Sequence, residues 1–208
     1  GIKDWKINPY RNLGRNAFLN VSDNFEIGSV GAGCGATTSV VKGGLGTISI
    51  FYDDRIKVGA IVVVNSVGSP CFPGTNILYS DFYGANKDHF EKPLTSSLIN
   101  STKLLKGEAT TLAIVCTNLN FNKSDLNRIA TAAHSGIARA IEPSHTPFDG
   151  DIIFSATSGT QPIYSKYNDL MLVCQLSALC ITQAVGSAIK AATKKRGDKL
   201  ACWADLKT

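Results

Sequence analysis

Methionine is almost absent from this chain. Met171 is the only one, so a sequence that opens on Gly1 is expected to lack residues upstream. Zinc-type spacing is missing too. The six cysteines form no C-x-x-C pair, and His89, His134 and His145 keep no ligand spacing with one another or with the cysteines. Reduced, mostly buried thiols, a cytoplasmic location and no metal or cofactor are therefore the expectation. No apolar run approaches the roughly 18 residues of a membrane span, so a membrane partner is not expected. Charge of one sign is not concentrated either. The net +5 is spread along 208 residues apart from Lys194, Lys195 and Arg196. Aromatic residues do not interleave with it, which argues against nucleic acid as a partner.

What is present fits one globular domain over residues 1–208. The hydrophobic content is 44%, ordinary for a chain that buries a substantial core. Leu13, Ala17, Phe18 and Val21 predict a short helix over 11–21. A stretch with seven glycines in nineteen residues follows, from Gly28 to Gly46. It is neither a Walker loop nor a convincing dinucleotide fingerprint; a substrate-facing loop and a purely structural one both stay open. Strands are predicted over 47–52 and 57–65, joined by Asp53-Asp54-Arg55 as a hairpin, the second buried on both faces. It ends on Asn65, either a turn former or a carboxamide donor to an oxyanion. Residues 70–108 are irregular and long for a connection inside a compact domain.

The chain then changes character at Gly107-Glu108-Ala109-Thr110-Thr111, where a charged segment runs into an apolar strand over 111–118. A hydroxyl at the head of a strand can attack the peptide bond before it. The α-amine released by the cut can then act as its base. A helix is predicted from an Asn122 cap to Ile141, with Leu126, Ile129, Ala130, Ala133, Ile137 and Ile141 on one face. His134 and Arg139 fall off that stripe and read as solvated. Pro143 blocks continuation. Asp149-Gly150-Asp151 precedes a strand over 152–157. It is either a plain turn or a pair of carboxylates that orient a nearby ammonium or hydroxyl. The last element is a long helix over about 167–194, with the basic cluster at the negative end of its dipole and Gly197 as its stop.

Taken in order, "GSVGAGCGAT…VKGGLGT", "VGAIVVVNSVG", "GEATTLAIVCTN" and "AHSGIARAIEPSHTPFDGDIIFSAT" resemble the self-processing aminopeptidases. That family includes the L-aminopeptidase D-Ala-esterase/amidase, the β-peptidyl aminopeptidases and the 6-aminohexanoate-oligomer hydrolase. The resemblance implies an α+β fold, an αββα sandwich, with a sizeable family segment preceding the point that corresponds to Gly1. It implies a precursor cut between Ala109 and Thr110 into an α part, 1–109, and a β part, 110–208. Thr110 would be the nucleophile, Asp149 and Asp151 the acidic pair, Asn65 the oxyanion-side asparagine and Lys42 the lysine of the glycine-rich region. Alanine stands where the family often carries asparagine or glycine. The implied function is an amide hydrolase acting on a small peptide or oligoamide with a free amine. Its partners would be further copies, as a tetramer of processed protomers, and a missing N-terminal chain. An acyltransferase working through the same acyl-enzyme, or an uncleaved and silent binding subunit, are the alternatives.

Overall fold

A computed structural model describes residues 8–83 and 109–207. Its centre is a four-stranded sheet in the order β1-β2-β3-β4: β1 Gly44–Phe51, β2 Lys57–Asn65, β3 Thr110–Leu119 and β4 Ile152–Gln161. The first three strands pair antiparallel, and β3 pairs with β4 in parallel. The hairpin of β1 and β2 turns on Asp53, whose Oδ1 accepts the N–H groups of Arg55 at 2.9 Å and Ile56 at 2.5 Å. This is the local bond that makes Asp a turn residue. A parallel pair needs a crossover, and helix α2, Lys123–Ala140, supplies it. Asn122 caps that helix by accepting the Asp125 N–H at 3.0 Å.

Helix α3, Lys166–Lys190, packs on β1, β2 and α2. Val173, Cys180, Ile181, Ala184, Val185, Ala188 and Ile189 are completely buried. By length and composition it is apolar enough to cross a membrane, but it is the core helix here, with two-thirds of its apolar window buried. It ends four residues before Lys194. The basic cluster therefore lies outside the helix, and Lys190 is the cation of its last turn. Cys71 and Cys180 are buried free thiols, pushed up to about 12 first of all by desolvation.

The two faces of the sheet differ. Along β2, Val58, Ala60, Val62 and Val64 are buried under the helices, while Lys57 and Ile61 are exposed and Gly59, Val63 and Asn65 lie between. The expectation of a strand buried on both faces is thus corrected. Among the described residues only one face is covered. Leu112, Ile152 and Phe154 face outward on the other, 41–55% exposed. An unbroken aliphatic run satisfies either arrangement, because period-two alternation is invisible when every position is apolar. The first helix, α1, Tyr10–Leu19, buries nothing: Leu13 and Phe18, on its expected apolar face, are 57% and 79% exposed. The long connection lies outside the described residues from 84 to 108.

One ion pair ties the hairpin turn to the helix layer. Arg55 meets Asp169 through two hydrogen bonds of 2.9 Å, and Asp169 also accepts the N–H groups of Tyr164 and Ser165. Its side chain is 7% exposed. The guanidinium bonds hold the Asp169 carboxyl below its ordinary value, with the backbone donors adding to them. A lowered folded value means stability that is complete above the unfolded value near 3.9. That stability drains away as the pH falls through the folded one. Asp169→Asn should therefore cost about 2 kcal/mol at neutral pH. Urea unfolding at pH 7 and at pH 3 checks this: the gap between variant and wild type should narrow at the lower pH.

Candidate active site

The junction singled out by the sequence sits where β3 begins. Ala109 precedes the strand and pairs with Asp149 in an isolated parallel bridge, in the same register as the β3–β4 ladder and three positions before its first pair, Leu112 with Ile152. Through it the Gly150 N–H donates to the Ala109 carbonyl at 2.9 Å. The Thr110 hydroxyl donates to the same oxygen at 2.6 Å. The carbonyl of the bond predicted to be cut is thus held between two donors, one of them the hydroxyl predicted to attack it. Glycine at 150 leaves room for this approach: a Cβ there would lie 2.9 Å from Thr110 Oγ1 and displace the hydroxyl.

Strand alternation separates the two threonines. Thr111 points to the helix layer and is fully buried, and its Oγ1 has no hydrogen-bond partner among the described residues. Thr110 points to the uncovered face and is half-buried. Asn65 is its cross-strand partner in the β2–β3 register, and directly opposed side chains stand about 5 Å apart at Cβ. The Asn65 carboxamide is anchored from the glycine-rich stretch: its Oδ1 accepts the Thr37 N–H at 3.1 Å. That stretch can lie so close because Gly43 has no side chain; a Cβ there would meet the Val64 carbonyl oxygen at 1.9 Å.

The two aspartates flank Gly150 and grip different segments. Asp149 accepts the Val67 N–H at 3.0 Å through Oδ1, and the Thr146 N–H and hydroxyl at 3.1 and 2.7 Å through Oδ2. It fastens the end of β2 to the loop before β4. Asp151 accepts the Thr111 N–H at 2.7 Å through Oδ1 and the His145 N–H at 3.2 Å through Oδ2. The turn reading is realised: the two carboxylates bind main-chain N–H groups around the turn and at the head of β3. Each Oδ1 accepts one of these bonds and retains a lone pair.

Lys42 goes elsewhere. It is 1% exposed, and among the described residues its ammonium pairs with Asp198 of the C-terminal segment. That pairing, with the Lys195 N–H, holds the Asp198 carboxyl below its ordinary value. The glycine-rich stretch is joined to the C-terminal segment a second time by the Lys42 N–H on the Ala201 carbonyl, at 2.9 Å.

Sequence reasoning passed over the histidines. His145 Nδ1 lies 2.9 Å from Asp151 Oδ2, and its Nε2 lies 3.4 Å from the His134 carbonyl oxygen. The two imidazoles stand 5.0 Å apart. His134 is therefore packed rather than simply solvated. Burial in the first place, and His145 after it, push its value below the ordinary one, with Asp151 opposing. The available signal was only that His145 lies six residues before Asp151.

Comparison with known proteins gives the family and the fold of the chain. Residues 3–201 match the peptidase family S58. An uncharacterized aminopeptidase of Mycobacterium leprae is 38% identical over 139 residues, covering 64% of this chain and 37% of that protein. The 6-aminohexanoate-oligomer endohydrolase of Paenarthrobacter ureafaciens is 39% identical over 49 residues, 24% of this chain and 14% of its own. The chain thus spans less than half the length of these relatives. Among solved structures, the L-aminopeptidase D-Ala-esterase/amidase of Ochrobactrum anthropi, described as a variant of the Ntn hydrolase fold, superposes with a TM-score of 0.63 at 21% identity. It covers 90% of this chain and 51% of that one. The fold is shared with these aminopeptidases, and the described residues account for one sheet and one helix layer of the expected sandwich. On the extent of the family match, this chain belongs to peptidase family S58.

Proposed function

We propose that the protein is an amide hydrolase that cuts itself between Ala109 and Thr110 and then uses Thr110 as its nucleophile. The observation that carries this reading is the pair of donors on the Ala109 carbonyl. Attack by Thr110 Oγ on that carbonyl carbon closes a five-membered ring. Oγ gives up its proton on attack, and the C–N bond then breaks as the departing nitrogen takes up that proton, leaving an ester between the Ala109 acyl group and the threonine oxygen. The negative charge that gathers on the carbonyl oxygen during attack falls where the Gly150 N–H already donates. A fixed donor of this kind costs no reorganisation when the charge develops. Water splits the ester, giving an Ala109 carboxylate and a Thr110 with free hydroxyl and free α-amine.

In the cut protein that amine, with an ordinary value near 8, takes the Oγ proton as the hydroxyl attacks a substrate amide. The substrate carbonyl occupies the place the Ala109 carbonyl held, with Gly150 and Asn65 as oxyanion donors. Asp149 and Asp151 balance the ammonium. The same negative surroundings suit small peptides or oligoamides with a free amine, which accords with the naming of the relatives as aminopeptidases and an oligoamide hydrolase. Lys42, paired with Asp198, serves to fasten the glycine-rich stretch that positions Asn65.

Intact-mass analysis of freshly made chain should show fragments 1–109 and 110–208, the second beginning at Thr110. Thr110→Ala should give only the uncut mass and no hydrolysis of an alanine anilide. An active Thr110→Ala protein would overturn the assignment, and a wild type that stays uncut would leave the silent binding subunit as the better reading. Gly150→Ala should slow self-cleavage about a hundredfold, the scale of misplacing a reacting group by an ångström. A time course of the uncut band measures it.

A further inference from the structure

We propose that His145 is a positioning residue that sets the Asp151 carboxylate, and through it the head of β3. The inference rests on the reading above only in taking Asp151 as part of the site; the contacts themselves stand apart from it. His145 approaches Asp151 Oδ2 twice, by its backbone N–H at 3.2 Å and by ring Nδ1 at 2.9 Å. The other oxygen of that carboxylate receives the Thr111 N–H at 2.7 Å. A line of polar contacts therefore runs from an imidazole, 38% exposed at its side chain, through a carboxylate that is 3% exposed, to the residue after Thr110.

The backbone of His145 is part of the device. Its φ is +55°, the one positive value outside glycine among the described residues, a conformation uncommon for any residue with a Cβ. In that turn the main-chain N–H and the ring face the same carboxylate oxygen. The second ring nitrogen faces the His134 carbonyl of α2 at 3.4 Å, so the imidazole is braced against a helix that is packed on the core. Asp151 and His134 are the titratable groups in contact with it. A carboxylate held at both oxygens keeps one rotamer. Asp151 must do so if its free lone pair is to meet the Thr110 amine.

The test separates side chain from backbone. His145→Gly accepts the positive φ but removes the ring, while His145→Asn tolerates the same φ and returns an N–H donor. Amide hydrogen exchange at Thr111 reads the contact without requiring activity. It should speed up about tenfold in His145→Gly, the scale of one net hydrogen bond, and return most of the way in His145→Asn. In the cleaved protein, His145→Gly should lower kcat for an alanine anilide about tenfold, as outer partners of a site do, with KM within about twofold and His145→Asn restoring it. Thr111 exchange unchanged in His145→Gly, or unrestored in His145→Asn, overturns the proposal. So does an unchanged kcat in His145→Gly when the wild type is active and Thr110→Ala is dead. If the wild type neither cuts itself nor hydrolyses the anilide, the functional reading fails, and Thr111 exchange alone decides the role of His145.

Discussion

The bridge between Ala109 and Asp149 is the contact on which the site depends. Without it β3 and β4 would still pair along their apolar length, and Asp151 would still meet the Thr111 N–H. The turn, however, would place no donor on the carbonyl before Thr110. With it, a single main-chain hydrogen bond, Gly150 N–H to Ala109 carbonyl at 2.9 Å, both closes a bridge in register with the β3–β4 ladder and puts a donor on the carbonyl at the junction. Geometry placed in register with strands inherits their rigidity, and positional accuracy is what the proposed intramolecular attack needs.

The remainder of the fold serves to keep that bridge in place. Asp149 and Asp151 each accept main-chain N–H groups on two sides, so the turn is bound to the segment after β2, to the loop before β4 and to β3 itself. Asn65 is anchored in turn to Thr37, and the stretch carrying Thr37 is closed by the pair of buried Lys42 with half-buried Asp198. A buried lysine left without its partner would be strongly unfavourable, while the pair adds little net stability over an apolar substitute. Its value here is in fixing where the C-terminal segment and the glycine-rich stretch meet.

Local signals made much of this legible. The Asn122 cap and the apolar stripe of α2 match the helix observed, because cap and period agree. The range Lys57–Asn65 was readable because charged and polar residues bound an aliphatic run. The junction threonines and the Asp-Gly-Asp turn were visible as motifs. What escaped was of two kinds. The covering of one sheet face alone cannot be read from an all-aliphatic strand, and α1 shows the converse, since apolar spacing at Leu13 and Phe18 produced a helix with no buried residue. The second kind is long-range pairing. Lys42 with Asp198 spans 156 positions, and the His145 ring meets Asp151 from a residue that turns left-handed; neither pairing leaves a local pattern.

The choice between adjacent threonines shows how packing and chemistry are coupled. Side chains of a strand alternate, so a slip of one residue would exchange Thr110 for Thr111 on the open face. What forbids the slip is the core. Ala113, Val115 and Leu119 share a face with Thr111 and are buried beneath α2 and α3. Moving them into solvent would cost on the order of 1.5–3 kcal/mol for each larger side chain, far above any preference between two hydroxyls. The buried Thr111 hydroxyl, lacking a hydrogen-bond partner among the described residues, is a penalty carried by that register, and it is small beside the aliphatic residues that impose it. The hydroxyl that reaches the Ala109 carbonyl is therefore selected by apolar side chains several positions downstream that touch no part of the site.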